Sequence, residues 1–200
     1  IGILAALQER QRTGKGGIVD TSLYETGLAW MSIYLAGFLA NGEVPARHGS
    51  GVDMIVPYQA FAASDGYMMV AAGTDNLFRR LCDVLERPGL ADDPRFRGNK
   101  DRVVNRKELI PILSDVFATR TREEWARRLE AAGIPNGPIN DLTQVVADPQ
   151  TEALGIIQKK RGSALGLVGL PLSFDGTRPP FDKAAPTLGE ANDAMPGERR

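Results

Sequence analysis

From Ser22 to Asn41 the sequence reads SLYETGLAWMSIYLAGFLAN, and this stretch limits the possible folds more than any other. Ser22 with Glu25 three residues on forms a capping box, which satisfies two of the orphan N–H groups at a helix start. The helix so opened is predicted to run to about Ala40 and to end at Asn41-Gly42. Leu23, Leu28, Trp30, Met31, Tyr34, Leu35 and Phe38 leave it almost no polar face, so it must be covered on most sides. A fold containing it needs a neighbour such as a sheet to lie against.

The chain opens in the same way. IGILAAL has no cap and no charge, and reads as the interior of a buried helix already under way. That helix turns polar at Gln8 to Arg12 and is predicted to stop at Thr13-Gly14-Lys15-Gly16-Gly17, where glycines tolerate the positive φ of a C-cap. Ile18-Val19-Asp20-Thr21 then reads as a short strand. Two apolar helices and one strand cannot bury themselves, so residues 1–42 are expected to belong to a larger domain.

Residues 43–57, with Pro45, Gly49, Gly51 and Pro57, show neither helical nor strand periodicity and read as a linker. Residues 58–150 read as a small α+β domain. Tyr58–Phe61 and Tyr67–Val70 flank Ser64-Asp65-Gly66, and Asp-Gly between β-prone runs is a strong hairpin signal. Thr74 or Asp75 caps the next helix, in which Phe78, Leu81, Cys82 and Leu85 share one face. A helical region is predicted from Asn99 to Phe117, bent by Pro111. Thr121 with Glu124 repeats the capping box, Trp125 and Leu129 face inward, and Gly133 ends that helix. IPNGPIND reads as a turn, followed by short helical pieces near Leu142–Val146 and Gln150–Leu154. Residues 151–200, with β-prone Ile156-Ile157 and Leu167-Val168 and a Pro-rich tail from Arg178, read as a return to the larger domain.

Composition narrows the function classes. Lys and Arg number 24 against 25 Asp and Glu, a net charge of -1, so no overall field draws nucleic acid or an anionic membrane. No apolar run reaches the ~18 residues of a membrane span. The one cysteine, Cys82, excludes an internal disulfide framework and points to a reducing, cytoplasmic home. His48 is the only histidine, so any Ser-His-Asp triad would have to use it, and a metal site of several histidines is excluded.

The individual motifs carry little chemistry by spacing alone. RTGKGG lacks the Walker spacing and reads as a helix C-cap turn before an anion cradle. His48 reads as a solvated linker residue before a general acid or base. In RHGSG, Gly49 and Gly51 around Ser50 read either as a hinge or as a loop that swings over a reacting group and presents N–H donors. Asp92-Asp93-Pro94 reads as a turn, Cys82 and Trp125 as packing residues, and RTREEWARR as a solvated helix face.

Taken together, IGILAALQERQRTGKG with VDTSLYE, VPYQAFAASDGYMMVAAG, ADDPRF with NRKELIPIL, AAGIPNGPIND and PTLGE resemble, in family order, the class III CoA transferases, a family that also holds acyl-CoA racemases. The resemblance implies an α/β fold in which a Rossmann-like large domain is split by a small α+β domain, with two chains interlocked as a homodimer. It implies that this chain is a C-terminal part whose N-terminal half is absent, with the nucleophilic aspartate upstream of Ile1 and no catalytic residue in the chain itself. The implied chemistry transfers CoA from an acyl-CoA, such as succinyl-CoA, to a small carboxylic acid through an aspartyl-CoA intermediate. It uses no metal and no cofactor beyond CoA and acyl-CoA as substrates, and no nucleic-acid or membrane partner. Gly49, Ser50 and Gly51 fall where some members carry a glycine-rich loop shielding these intermediates. VPYQAF and GPIND are most similar to transferases of dicarboxylic acids. PTLGE is followed by Ala191, where the family often has His. An acyl-CoA racemase and a non-catalytic interaction module are the alternatives.

Overall fold

The computed structural model describes residues 1–159, 166–180 and 186–190. The rest of the predicted return segment, residues 160–165, 181–185 and 191–200, lies outside the described residues. The chain divides into two compact units, one of Ile1–Ala60 with Ala71–Ile112, the other of Phe61–Val70 with the chain from Leu113 onward.

In the first unit, α1 (Gly2–Thr13) ends where Gly14, at φ 72°, donates its N–H to Arg10 O at 2.8 Å. RTGKGG is thus a helix C-cap turn. Residues 18–21 form no strand: among the described residues no other strand pairs with them. At the start of α2 (Leu23–Trp30) the Ser22 hydroxyl accepts from the Glu25 N–H at 3.1 Å and donates to its carboxylate at 2.7 Å. The single helix predicted to Ala40 is two. The chain breaks at Met31 (φ -87°, ψ 5°), whose N–H is shared between the Gly27 and Leu28 carbonyls, and resumes as α3 (Ser32–Asn41). Gly42 at φ 73° closes α3.

The expected burial of these helices is not met within the chain. None of the residues of α1, α2 or α3 is buried, and Leu4, Leu7, Leu28 and Trp30 are exposed. Their apolar sides find no cover among the described residues.

The remainder of the unit has a real core. Thr74 accepts the Leu77 N–H to start α4 (Asp75–Val84), and Phe78, Leu81, Cys82 and Leu85 are buried as the periodicity predicts. Burial pushes the Cys82 thiol up to about 12, with Asp83 adding to the shift. After α5 (Gly89–Asp92), Asp93 turns the chain, accepting the Phe96 N–H through its carbonyl. Hydrogen bonds from Arg95 hold the Asp93 carboxyl below the usual carboxylate range. The predicted helix from Asn99 is interrupted at Asn105, giving α6 (Asn99–Val104) and α7 (Arg106–Phe117), with Pro111 inside α7.

Arg102, on α6, is fully buried. Its Nε donates to Val56 O at 2.7 Å, and Nη1 to Phe96 O and Arg97 O at 3.0 and 3.2 Å. Nη2 donates to Gly73 O at 2.8 Å and to the Asp75 carboxylate at 3.0 Å. The guanidinium lies 4.4 Å from the Phe78 ring centroid, a cation–π contact.

The Ser64-Asp65 turn joins β1 (Tyr58–Ala63) to β2 (Gly66–Ala71), the predicted hairpin, of which Phe61–Val70 belongs to the second unit. IPNGPIND is more than a turn. Asn136–Pro138 forms β3, antiparallel to β2 with Met69 opposite Gly137, and the sheet order is β1-β2-β3. Phe61 stacks on Phe117 at 4.6 Å, Phe117 meets Trp125 edge-on at 5.2 Å, and the indole N–H donates to Phe117 O. Thr121 and Glu124 close the predicted capping box of α8 (Arg122–Ala131). Asp65 in the hairpin turn accepts the Arg122 N–H at 2.8 Å, and its carboxylate lies 3.6 Å from the Arg122 guanidinium, so Arg122 is paired and not merely solvated. The short helices α9 (Leu142–Ala147) and α10 (Pro149–Ala153) lead to β4 (Ile157–Lys159), which pairs antiparallel with β5 (Gly166–Val168).

Replacing Arg102 by Leu leaves the buried carbonyls of Val56, Phe96 and Gly73 without their donor. Urea unfolding should show a loss of about 3 kcal/mol, only partly recovered by Arg102→Lys, which cannot reproduce the planar fork. Cys82 titrates far above the ~8.5 of an unfolded thiol. Its contribution to stability is fully present below about pH 8.5 and is lost progressively as pH rises toward the folded value, because only the unfolded state ionises in that window. Comparison of wild type with Cys82→Ala by urea unfolding between pH 8 and pH 10 should show the wild type losing stability faster, and the native thiol should resist a thiol reagent until the chain unfolds.

Candidate active-site loop

Residues 43–57 form neither helix nor strand, and the sequence-predicted site residues Gly49, Ser50 and Gly51 sit inside this stretch. Gly49 adopts φ 62°, the left-handed region that glycine enters without a Cβ penalty. Gly51 donates its N–H to His48 O at 2.9 Å, closing a tight turn. A Cβ on Gly51 would stand 3.1 Å from that same carbonyl, so the turn closes this tightly only with glycine there.

His48 is not the solvated residue expected. Its Nε2 lies 2.6 Å from Asp53 Oδ1, and only 20% of its side chain is exposed. The glycines explain the pairing, since they let the chain reverse quickly enough for residues on either side of the turn to meet. Downstream, the Val52 N–H donates to Tyr58 O at 3.1 Å, and the Ala60 N–H donates to the Ser50 hydroxyl at 3.1 Å. Arg106 donates to the Val52 and Asp53 carbonyls, and Asn99 binds both Met54 O and the Val56 N–H. Asp53 also lines a groove of about 310 Å³ with Tyr34, Phe38 and Met54.

The loop is therefore held at its base and at one side-chain pair, while its tip points to solvent. Among the described residues the Gly49 and Ser50 amides donate to no acceptor. Two adjacent free N–H groups on a glycine-containing turn can donate to an anionic oxygen. Asp53, Asn99 and Arg106 carry little local signal in the sequence. The only local signal for the first is a His and an Asp bracketing two glycines.

The other candidates resolve as structural. Cys82 and Trp125 are buried packing residues, and Asp92 pairs with Arg79 at 3.2 Å. Thr187 donates through both its N–H and its hydroxyl to the Glu190 carboxylate, at 2.7 and 3.1 Å, which holds that carboxyl below the usual range. PTLGE is thereby a self-closed turn, and Ala191 lies outside the described residues. No group of three or more His, Cys, Asp or Glu side chains among the described residues could hold a metal ion, and no helix among them is long and apolar enough to cross a membrane.

Known proteins resemble the chain in sequence and in fold. The chain is 37% identical over 169 residues to the human succinyl-CoA:glutarate CoA-transferase, covering 84% of this chain and 39% of that protein. It is 35% identical over 195 residues to the acetyl-CoA:oxalate CoA-transferase of Acetobacter aceti, covering 97% of this chain and 50% of that protein. The crystal structure of a CAIB/BAIF family protein from Brucella suis superposes with a TM-score of 0.78 at 34% identity, over 96% of this chain and 50% of that one. The chain thus spans about half the length, or less, of these relatives. The sequence pattern of CoA-transferase family III matches residues 1–192, and the chain belongs to that family.

Proposed function

We propose that this chain is the C-terminal portion of a CoA transferase that moves CoA from an acyl-CoA, succinyl-CoA among the candidates, to a small carboxylic acid. The observation that carries the reading is the family match over residues 1–192. The names of two relatives, a glutarate and an oxalate transferase, point to dicarboxylic acceptors.

In the chemistry proposed, an aspartate carboxylate attacks the thioester carbonyl and expels CoA thiolate, leaving a mixed anhydride. The thiolate then attacks the aspartyl carbonyl and releases the donor acid, leaving an aspartyl-CoA thioester. The acceptor carboxylate repeats the sequence in reverse. Donor and product are both CoA thioesters of similar energy, and the carboxylate nucleophile carries the acyl exchange between them without a metal or further cofactor. The aspartate is supplied by an N-terminal half, and the chain alone is inactive. This fits the uncovered apolar sides of α1, α2 and α3, with Leu4, Leu7, Leu28 and Trp30 exposed to receive a neighbour.

In this reading residues 1–42 and 151–200 complete a split Rossmann-like large domain, 43–57 is the linker, and 58–150 is the small domain. The full-length protein is a homodimer in the cytoplasm. Gly49, Ser50 and Gly51 close over the reacting carbonyl. The free Gly49 and Ser50 amides donate to developing oxyanions, and the closed loop keeps water from the anhydride.

Mixing this chain with a separately produced N-terminal half should give CoA transfer from succinyl-CoA to one or more acids of a panel that includes glutarate and oxalate, with neither half active alone. Absence of transfer when the halves demonstrably associate would overturn the transferase reading, and exchange of an acyl α-proton with deuterated solvent in the same tube would put a racemase in its place.

A further inference from the structure

We propose that the pair His48–Asp53 is a clasp that sets the resting conformation of the Gly49–Gly51 loop, making both residues positioning residues for it. The functional half of this inference rests on the lid reading above; the structural half does not. The pair spans the turn from its first residue to its far side, at 2.6 Å and with His48 mostly buried. The other ties act on the loop's downstream limb. Ser50 accepts from Ala60, Val52 donates to Tyr58, and Arg106 holds the Val52 and Asp53 carbonyls. The upstream limb, by contrast, is fastened to the downstream one by the Gly51 N–H on His48 O and by the imidazole on Asp53.

The turn hydrogen bond joins residues only three apart, so the side-chain pair is the longer-reaching of the two fastenings, and its rupture leaves the limbs joined by the turn bond alone. A hydrogen bond to a charged partner shifts such an equilibrium by roughly ten- to a hundredfold. That is enough to keep the loop clasped for most of the time, and small enough to break in every catalytic cycle. Glycine at 49 supplies the backbone freedom for the swing, since it sits at φ 62°, a region that a residue with a Cβ enters only at a cost.

Amide hydrogen exchange on the 200-residue chain reads the clasp directly. In His48→Ala and in Asp53→Asn the amides of Gly51 and Ala60 should exchange at least about tenfold faster, while interior amides of α4 keep their wild-type rates. His48→Gln, whose amide can still donate to Asp53, should restore most of the protection. Unchanged exchange at Gly51 and Ala60 in both clasp variants would overturn the proposal. Should His48→Ala unfold, which the α4 amides would report, Asp53→Asn carries the same comparison. In the reconstituted mixture the variants should hydrolyse more succinyl-CoA per CoA transferred, with His48→Gln restoring the ratio. Faster exchange with a wild-type ratio of hydrolysis to transfer would uphold the clasp and overturn the lid reading.

Discussion

The Arg102 guanidinium is the junction on which the ordered part of the first unit depends. A buried cation is costly unless every proton finds an acceptor, and here four carbonyls and the Asp75 carboxylate receive them. Burial lowers its pKa and the hydrogen bond to Asp75 raises it, so the site holds the charged form by direct pairing against an unfavourable medium. The carbonyls come from Val56, Gly73, Phe96 and Arg97, all of which lie outside the helices and strands and have no ladder of their own. One planar fork thus does for several loops what a sheet would do for strands, and lysine has neither the geometry nor the number of donors to replace it.

This fixes the loop from below. Val56 is held by Arg102 at its carbonyl and by Asn99 at its N–H, while Arg106 takes the carbonyls of Val52 and Asp53. Donors on α6 and α7 therefore fasten the backbone immediately after the glycine turn, while Ser50 is tied only through its hydroxyl to the Ala60 N–H. The loop thus combines a base fastened by side-chain donors with an exposed tip at Gly49 and Ser50.

The elements legible in the sequence are those whose cause is local. Thr121 with Glu124 is a capping box written within three residues, and Ser22 caps α2 and Thr74 caps α4 by the same short reach, although the Glu25 carboxylate meets the Ser22 hydroxyl and not its N–H. The stripe through Phe78, Leu81, Cys82 and Leu85 reports its own burial. β3 was hidden because three residues containing Gly137 and Pro138 have no strand propensity; β2 imposes the register on them. The break at Met31 was hidden because a helix apolar on all sides carries no phase that could mark an interruption. Arg102 is indistinguishable in NKDRVVNRK from its exposed neighbours, since its acceptors lie up to 46 residues away. The loop itself was legible through its glycines and through the family resemblance, whereas the His48–Asp53 pairing needs the three-dimensional path of the turn.

The flank of α1, α2 and α3 follows a different logic from the core. Their lengths are 12, 8 and 10 residues, and isolated helices shorter than ~12 to 15 residues are marginal in water even with good propensity. None of their residues is buried, and each has an apolar surface that water disfavours. Their caps, the Ser22 hydroxyl and the left-handed Gly14 and Gly42, specify where the helices begin or end but contribute only about 1 kcal/mol each. The missing free energy has to come from whatever covers them. A covering segment binds the folded flank and not the unfolded one, so by mass action it stabilises these helices as it docks. Folding of the flank and docking of its cover are then a single equilibrium, in contrast to the Arg102 junction and the Phe61–Phe117–Trp125 stack, whose side chains meet partners among the described residues.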